Sequence, residues 1–187
     1  MRAGPTDNDD LARWLQESYQ RSFRTACLLL GNSADAEEAV QEAFLRAWRF
    51  RSSLGTGSNF RPWLYRVVVN SCCSKLRQEV PHQQRRSSVS GLEGTVSPMA
   101  SPEEEAGRSE LSRNVMRALQ ELPVHLRVTV VLRYYADLSE REIAVAIGRR
   151  PGTVKSRLHE ARRLLAEHPA LRALADENGF DSREVLR

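Results

Sequence analysis

Between residues 80 and 109 the chain reads VPHQQRRSSVSGLEGTVSPMASPEEEAGRS, with six Ser, three Gly, three Pro and no aromatic residue. No apolar period of 2 or 3.6 runs through it, so it cannot bury enough surface to offset the entropy of ordering itself. The stretch reads as a flexible linker, and a fold must be assembled from the two flanks. Both flanks show helical periodicity, and the β-branched runs Val67 to Val69 and Val128 to Val131 fall inside helical patterns. The expected architecture is all-α: two small helical domains, over 9–79 and 110–167, joined by the linker 80–109. The tail 168–187 is too short for a further domain and reads as a frayed helix or a small partner-facing element.

The first flank reads as a helical bundle. A first helix is expected from about Asp9 to Leu30, stopped by Gly31. A second begins at Asp35, with Glu38 three residues on in an arrangement close to a capping box. Its residues Ala36, Val40, Ala43, Phe44, Ala47 and Trp48 form one apolar stripe. The loop Ser52 to Asn59 is rich in glycine and serine. Pro62 suits the first turn of a third helix, which runs to about Gln78 and carries Trp63, Leu64, Val67, Val68 and Leu76.

Several function classes find no support. No apolar run approaches the roughly 20 residues of a membrane span, and residues 1–10 are too acidic and polar for a signal peptide, so a soluble cytoplasmic protein is expected. The adjacent Cys72 and Cys73 cannot easily share a tetrahedral ion, and His82 falls in the linker, so the cysteines read as buried helix residues and no metal is expected. His125 and His159 have no nucleophile or carboxylate at informative spacing. With no glycine-rich phosphate loop either, neither an enzyme nor a bound cofactor is expected.

The strongest local signal is LSEREIAVAIGRRPGTVKSRLHEARRLL, from Leu138 to Leu165. Ser139 with Glu142 forms a capping box, and Ile143, Ala144 and Ile147 make the inner face of a short helix ending at Gly148. After Arg149 and Arg150, Pro151 opens a second helix with Val154, Leu158, Ala161 and Leu165 along its inner face. Two short helices joined by a Gly-containing turn form a helix-turn-helix, whose second helix enters the major groove. Charge follows the same division. Residues 110–167 carry a net +4 of the whole chain's +4, and 149–163 alone carry six basic groups against one acidic. Only Lys75 and Lys155 are lysines among the 28 basic residues, and Arg supplies a rigid fork for phosphate and guanine edges. DNA binding is the favoured reading; the competing one is a solvated basic helix or a helix-turn-helix used for protein contacts.

Three motifs in this order, DAEEAVQEAFLRAWR (Asp35 to Arg49), FRPWLYRVVVNSCCSKLR (Phe60 to Arg77) and LPVHLRVTVVLRYYADLSEREIAVAIGRRPGTVKSRLHEARRLL (Leu122 to Leu165), extend the comparison to most of the chain. Together with the linker they resemble the extracytoplasmic-function (ECF, group 4) sigma factors of bacterial RNA polymerase, in the sigma-70 superfamily. The resemblance implies that the first domain is sigma region 2-like, docking on core polymerase and engaging the −10 promoter element. The second is region 4-like and holds the −35 element. On the polymerase side it implicates Asp35, Glu38, Gln41, Glu42, Leu45 and Arg49, with Leu45 as an anchor ringed by charge.

For the −10 element the resemblance points to the third helix. Asn70 lies in an R-x-x-x-N pattern with Arg66, and an amide can read a base edge through two bonds. Arg61, Arg66, Lys75 and Arg77 are phosphate contacts, while Trp63 and Tyr65 are of the type that stacks on unpaired bases. Trp63 also falls beside Leu64 and Val67, where core packing competes with that role. The −35 set is Arg149, Arg150, Thr153, Lys155, Ser156, Arg157, His159 and Arg162. The chain departs from the family pattern at Ser74, where many relatives carry Asp, at Val69, often Arg, and at Glu160, commonly basic. These departures bear on the promoter sequence rather than on the class. The implied partners are core RNA polymerase, promoter DNA and an anti-sigma factor, without membrane insertion; the implied location is cytoplasmic, at the nucleoid in holoenzyme. A stand-alone helix-turn-helix regulator and an adaptor that does not bind DNA are the competing readings.

Overall fold

The computed structural model describes residues 8–50, 60–79 and 102–178. The expected loop 52–59, most of the expected linker and the last part of the tail lie outside them. All nine elements among the described residues are helical: eight α-helices, α1 to α8, and one short π-helix.

The first module comprises α1 (Asn8–Leu30), α2 (Ser33–Arg49) and α3 (Phe60–Glu79). Gly31 ends α1 in the left-handed region at φ 83°, its N–H returning to the Cys27 carbonyl at 2.8 Å. The capping box expected at Asp35 and Glu38 is not the start of α2. Asn32 is the N-cap, its side-chain oxygen accepting from the Asp35 N–H at 2.8 Å, and Asp35 sits in the first turn. An acid there complements the positive end of the helix. The buried face of α2 is Ala36, Ala39, Val40, Ala43 and Ala47. Such small side chains let it lie close against both α1 and α3. Trp48, expected on the apolar stripe, is exposed instead. At about 100° per residue it lies ~120° round the helix from Ala36, whereas Ala47 lies only ~20° away. From α3, Phe60, Leu64, Tyr65, Val68, Val69 and Cys72 enter the core.

The second module comprises α4 (Pro102–Glu121), α5 (Val124–Val130), α6 (Glu140–Ile147), α7 (Pro151–Glu167) and α8 (Pro169–Asn178). Helix α4 starts inside the segment expected to be linker; Pro-Glu-Glu-Glu is a helix-opening sequence that the surrounding Ser, Gly and Pro obscured. Helix α5 is buried from Leu126 to Val130 because it is covered by α7 on one side and α1 on another. It continues into a widened π-type turn over Val131–Tyr135, where the Ala136 N–H reaches the Val131 carbonyl at 3.0 Å. The tail begins as α8, packed on α4 and α7, and the His168 ring meets the Glu121 carboxylate at 3.0 Å.

The helix-turn-helix forms as its sequence dictates. Ser139 caps α6, accepting from the Glu142 N–H at 3.3 Å while Glu142 accepts from the Ser139 N–H at 2.8 Å. Gly148 closes α6 at φ 62°, and Arg149 N–H bonds the Ala144 carbonyl at 2.9 Å. Pro151 opens α7, and Val154, Leu158, Ala161 and Leu165 are buried beneath it.

The two modules share one continuous core. Helix α1 touches α4, α5 and the π-type turn, and α3 lies along α6. Polar contacts cross the same boundary. Arg127 of α5, 6% exposed, donates to the Leu29 carbonyl of α1 at 2.7 Å, and Gln120 of α4 donates to the Leu28 carbonyl at 3.0 Å. Arg61 of α3 donates to the Ala136 carbonyl.

The capping box generates a pH-dependent prediction. Partial burial works to raise the Glu142 pKa, but the bonds from Ser139 and the nearby Arg61 charge outweigh it and hold the carboxyl below its usual value. A depressed carboxylate contributes stability above its unfolded pKa, about 4.3, and that contribution is lost as pH falls through the folded value. Ser139→Ala should cost about 1 kcal/mol near pH 7 in urea unfolding. The stability gap between wild type and Glu142→Gln should be full above about pH 5 and close as the medium is acidified below about pH 4.

Candidate nucleic-acid interface

On the outer side of α7, Lys155, Ser156, His159 and Glu160 are exposed, with Arg149, Arg150 and Gly152 at its amino end. Thr153 and Arg157 are half-buried at the flanks. Arg149, Arg150, Lys155 and Arg157 make no salt bridge or side-chain hydrogen bond among the described residues. Arg163 pairs with Glu167 at 2.9 Å on a neighbouring strip. Arg162 is held differently: its Nε donates to the Tyr134 hydroxyl at 2.6 Å, and its guanidinium lies 5.9 Å from the centre of that ring. Tyr134, half exposed at the end of the π-type turn, therefore belongs to this surface. Periodicity did not find it; an exposed aromatic just before the first helix of a helix-turn-helix was the available signal. Space beside Gly152 is open, leaving the first turn of α7 bare for the approach of a phosphate.

Of the residues expected at the −10 element, Arg66, Asn70 and Arg77 are exposed. Their spacing places them within ~40° of each other around α3. The others stand elsewhere. Tyr65 is buried, so it offers no face to a base in this conformation; burial raises its phenol pKa, against the opposing pull of Arg61, Arg21 and a bond with Thr25. Trp63 is half-buried against the core and stacks on Phe60 at 5.5 Å, the packing role that competed with base stacking. Arg61 is engaged with Ala136 across the module boundary. Lys75 bridges to α2, 2.7 Å from Glu38 and 3.5 Å from Asp35. Desolvation disfavours its charge, but the Glu38 bond and the two carboxylates outweigh that and raise its pKa.

These bridges also redefine the polymerase-side set. Asp35 is tied to Asn32 at 2.6 Å and to Lys75, so it serves the α2 start. Glu42 pairs with Arg46 at 2.5 Å. Glu38, Gln41, Leu45 and Arg49 are exposed, with Glu38 contacting Lys75 and Gln41 donating to Glu37 at 3.3 Å. Leu45 is 60% exposed, and Trp48 and Phe50 are exposed further along the end of α2. Phe50 lies one residue past the helix and outside any periodic count, which is why sequence reasoning missed it.

Among the described residues no three His, Cys, Asp or Glu converge on a metal site, and no helix is long and apolar enough to cross a membrane. Cys72 is buried and Cys73 half-buried. Burial, with Cys73 and Cys27 alongside, pushes the Cys72 thiol up to about 12.

The geometry is that of a helix-turn-helix with exposed cations along its second helix, packed against a three-helix module whose α2 ends in exposed apolar residues. Two family matches fall on these modules: Sigma-70 region 2 over residues 15–80 and Sigma-70, region 4 over residues 112–165. The chain is 33% identical over 153 residues to the ECF RNA polymerase sigma factor SigW of Bacillus subtilis (strain 168), covering 79% of this chain and 80% of that one. It is 34% identical over 154 residues to the ECF RNA polymerase sigma-E factor of Escherichia coli (strain K12), covering 77% and 78%. The fold is also that of CnrH, solved in complex with the cytosolic domain of CnrY (TM-score 0.64, 22% identity, 92% and 91% covered). It is likewise similar to the sigma factor RpoE of Bartonella quintana, solved with the anti-sigma factor NepR (TM-score 0.63, 24% identity, 83% and 95% covered). The chain belongs to the ECF family of RNA polymerase sigma factors.

A raised thiol pKa means little reactive thiolate at ordinary pH. In the native chain at pH 8, Cys72 and Cys27 should resist a disulfide reagent over minutes while Cys73 reacts slowly; in denaturant all three should react at once. Fast native labelling of Cys72, read by peptide mass, would contradict its place in the core.

Proposed function

We propose that the chain joins core RNA polymerase through the outer face of α2 and directs it to promoters, with α7 in the −35 major groove and α3 at the −10 element. The observation that carries this reading is the bare face of α7: five exposed or flanking cations, counting Arg162, around a capped helix-turn-helix, opposite a buried apolar face that fixes its orientation. Arg149, Arg150, Lys155 and Arg157 serve phosphates. Ser156, His159 and Glu160 stand where base edges would be, and a carboxylate at Glu160 suits a cytosine amino group.

At the −10 element Asn70 reads an unpaired base, flanked by Arg66 and Arg77 on the backbone. Separating base pairs costs roughly 1.4 kcal/mol of stacking per step, which captured bases and polymerase contacts together must offset. Every step is binding rather than covalent chemistry. On the polymerase side Leu45, Trp48 and Phe50 form the anchor, ringed by Glu38, Gln41 and Arg49. The anti-sigma factor NepR accompanies the related RpoE, and a partner of that kind is proposed here too, acting in the cytoplasm and releasing the chain to the nucleoid.

Reconstituted transcription with purified core polymerase and a promoter panel tests this reading; absence of any specific transcript, with core binding absent, overturns it. Lys155→Ala and Arg162→Ala should each weaken holoenzyme binding to a −35 duplex by about tenfold, ~1.4 kcal/mol. Lys155→Ala should also lower the salt dependence of log K by about one unit. Asn70→Ala should leave closed-complex affinity within about twofold while open complexes, read by permanganate reactivity, fall by about tenfold or more.

A further inference from the structure

Helix α5 buries Leu126 and Val130, four residues apart, and one more α-helical turn would put residue 134 under the same face. The π-type turn prevents this. Its Ala136 N–H bonds the Val131 carbonyl five residues back at 3.0 Å, and the added residue sets Tyr135 against the core and Tyr134 out at the surface. The turn is fixed by the residues that follow it. The Leu138 N–H bonds the Leu132 carbonyl at 3.0 Å, Arg133 donates to the Leu138 carbonyl at 3.0 Å, and Asp137 takes the left-handed region at φ 54°. Tyr134 is thus presented to α7 from a well-tied backbone.

What it meets there is Arg162. No acid lies three or four residues from Arg162 along α7, whereas Arg163 has Glu167 four residues on and pairs with it at 2.9 Å. The Tyr134 hydroxyl accepts from the Arg162 Nε–H at 2.6 Å, with the guanidinium 5.9 Å from the ring centre. An uncharged acceptor fixes the side chain and leaves its charge whole. Because Nε is occupied, the edge left for a ligand is the pair of Nη groups, a fork that fits two oxygens of one phosphate. Position along the helix favours a phosphate over a base. Base edges are met by the amino-terminal residues of such a helix. Arg162 comes eleven residues after Pro151, ~16 Å along the axis, which exceeds the ~12 Å width of the major groove.

We infer that Tyr134 is a positioning residue, bracing the Nη fork of Arg162 onto one DNA backbone phosphate at the edge of the −35 contact. The place of that phosphate rests on the proposed function above; the Tyr134–Arg162 pair does not. A lysine at 162 could not substitute, since the nitrogen that would meet the phosphate is the same one that would have to reach Tyr134.

The test uses full-length chain in holoenzyme on a −35 duplex. Tyr134→Phe keeps the ring and removes the hydroxyl; it should weaken binding about fourfold, with melting temperature and salt dependence unchanged because the cation stays. Arg162→Ala costs about tenfold, and the double variant should also lose about tenfold rather than the ~fortyfold of independent sites. Arg162→Lys should match Tyr134→Phe and make it silent. The fold loss should be the same on duplexes of different base sequence. In the free chain, the Arg162 Nε–H should exchange with solvent about tenfold more slowly in wild type than in Tyr134→Phe, read by NMR. Equal exchange overturns the pair. Wild-type affinity in Tyr134→Phe, or losses that multiply in full with Arg162→Ala, overturn the bracing, and a loss confined to one base sequence overturns the phosphate. A wild-type holoenzyme that binds no promoter duplex, with Nε–H protection intact, contradicts the proposed function, takes the phosphate with it and leaves the pair standing.

Discussion

A helix end cannot be buried with its carbonyls bare, and in this chain that requirement couples the two modules. Helix α1 runs its last turn into the region beside α4 and α5, where water is largely excluded. Arg127 resolves the conflict from the second module while remaining bonded to the α4–α5 connection. One guanidinium therefore orders the α4–α5 corner and the end of α1 together. From that point the rest follows: α5 is fixed against α1, α7 is fixed against α5, and the basic side of α7 faces away from the shared core.

The electrostatics divide along the same lines. Cations that face inward or across a boundary, Arg127, Arg61 and Lys75, are all bonded to carbonyls or carboxylates. Those on α7 and its preceding turn are largely left to solvent. A protein interior tolerates charge only where it is paired, whereas a surface meant for a polyanion needs its cations uncommitted. Arg162 stands between these cases. Tyr134 restrains its guanidinium without neutralising it, so the charge stays available while its orientation is narrowed.

Much of this was legible in the residues because local signals dominate it. The Ser139–Glu142 capping box, Gly148 and the Val154, Leu158, Ala161, Leu165 face each act within a few residues, and each appears as read. The start of α2 was misplaced because Asn32 and Asp35 are both capable caps, and only backbone geometry chooses between them. Trp48 was placed inside by an apolar count that cannot tell the centre of a stripe from its edge. Tyr65 and Lys75 looked available because nothing in a linear sequence shows Thr25 or Glu38 beside them. The joining of the two modules into one core was hidden for the same reason: its polar contacts connect residues about a hundred positions apart, such as Leu29 and Arg127.

The inner side of α2 has a consequence of another kind. Its buried positions are four alanines and one valine, side chains with hardly any shape to match. What seats the helix is largely closeness of backbone, with half-buried Phe44 set edge-on against Tyr19 of α1. Outward residues other than Asp35 and Glu38, which bridge to Lys75, can accordingly be exchanged with little disturbance of the seat, so the rest of this surface is free to diverge at little risk to the integrity of the chain that carries it.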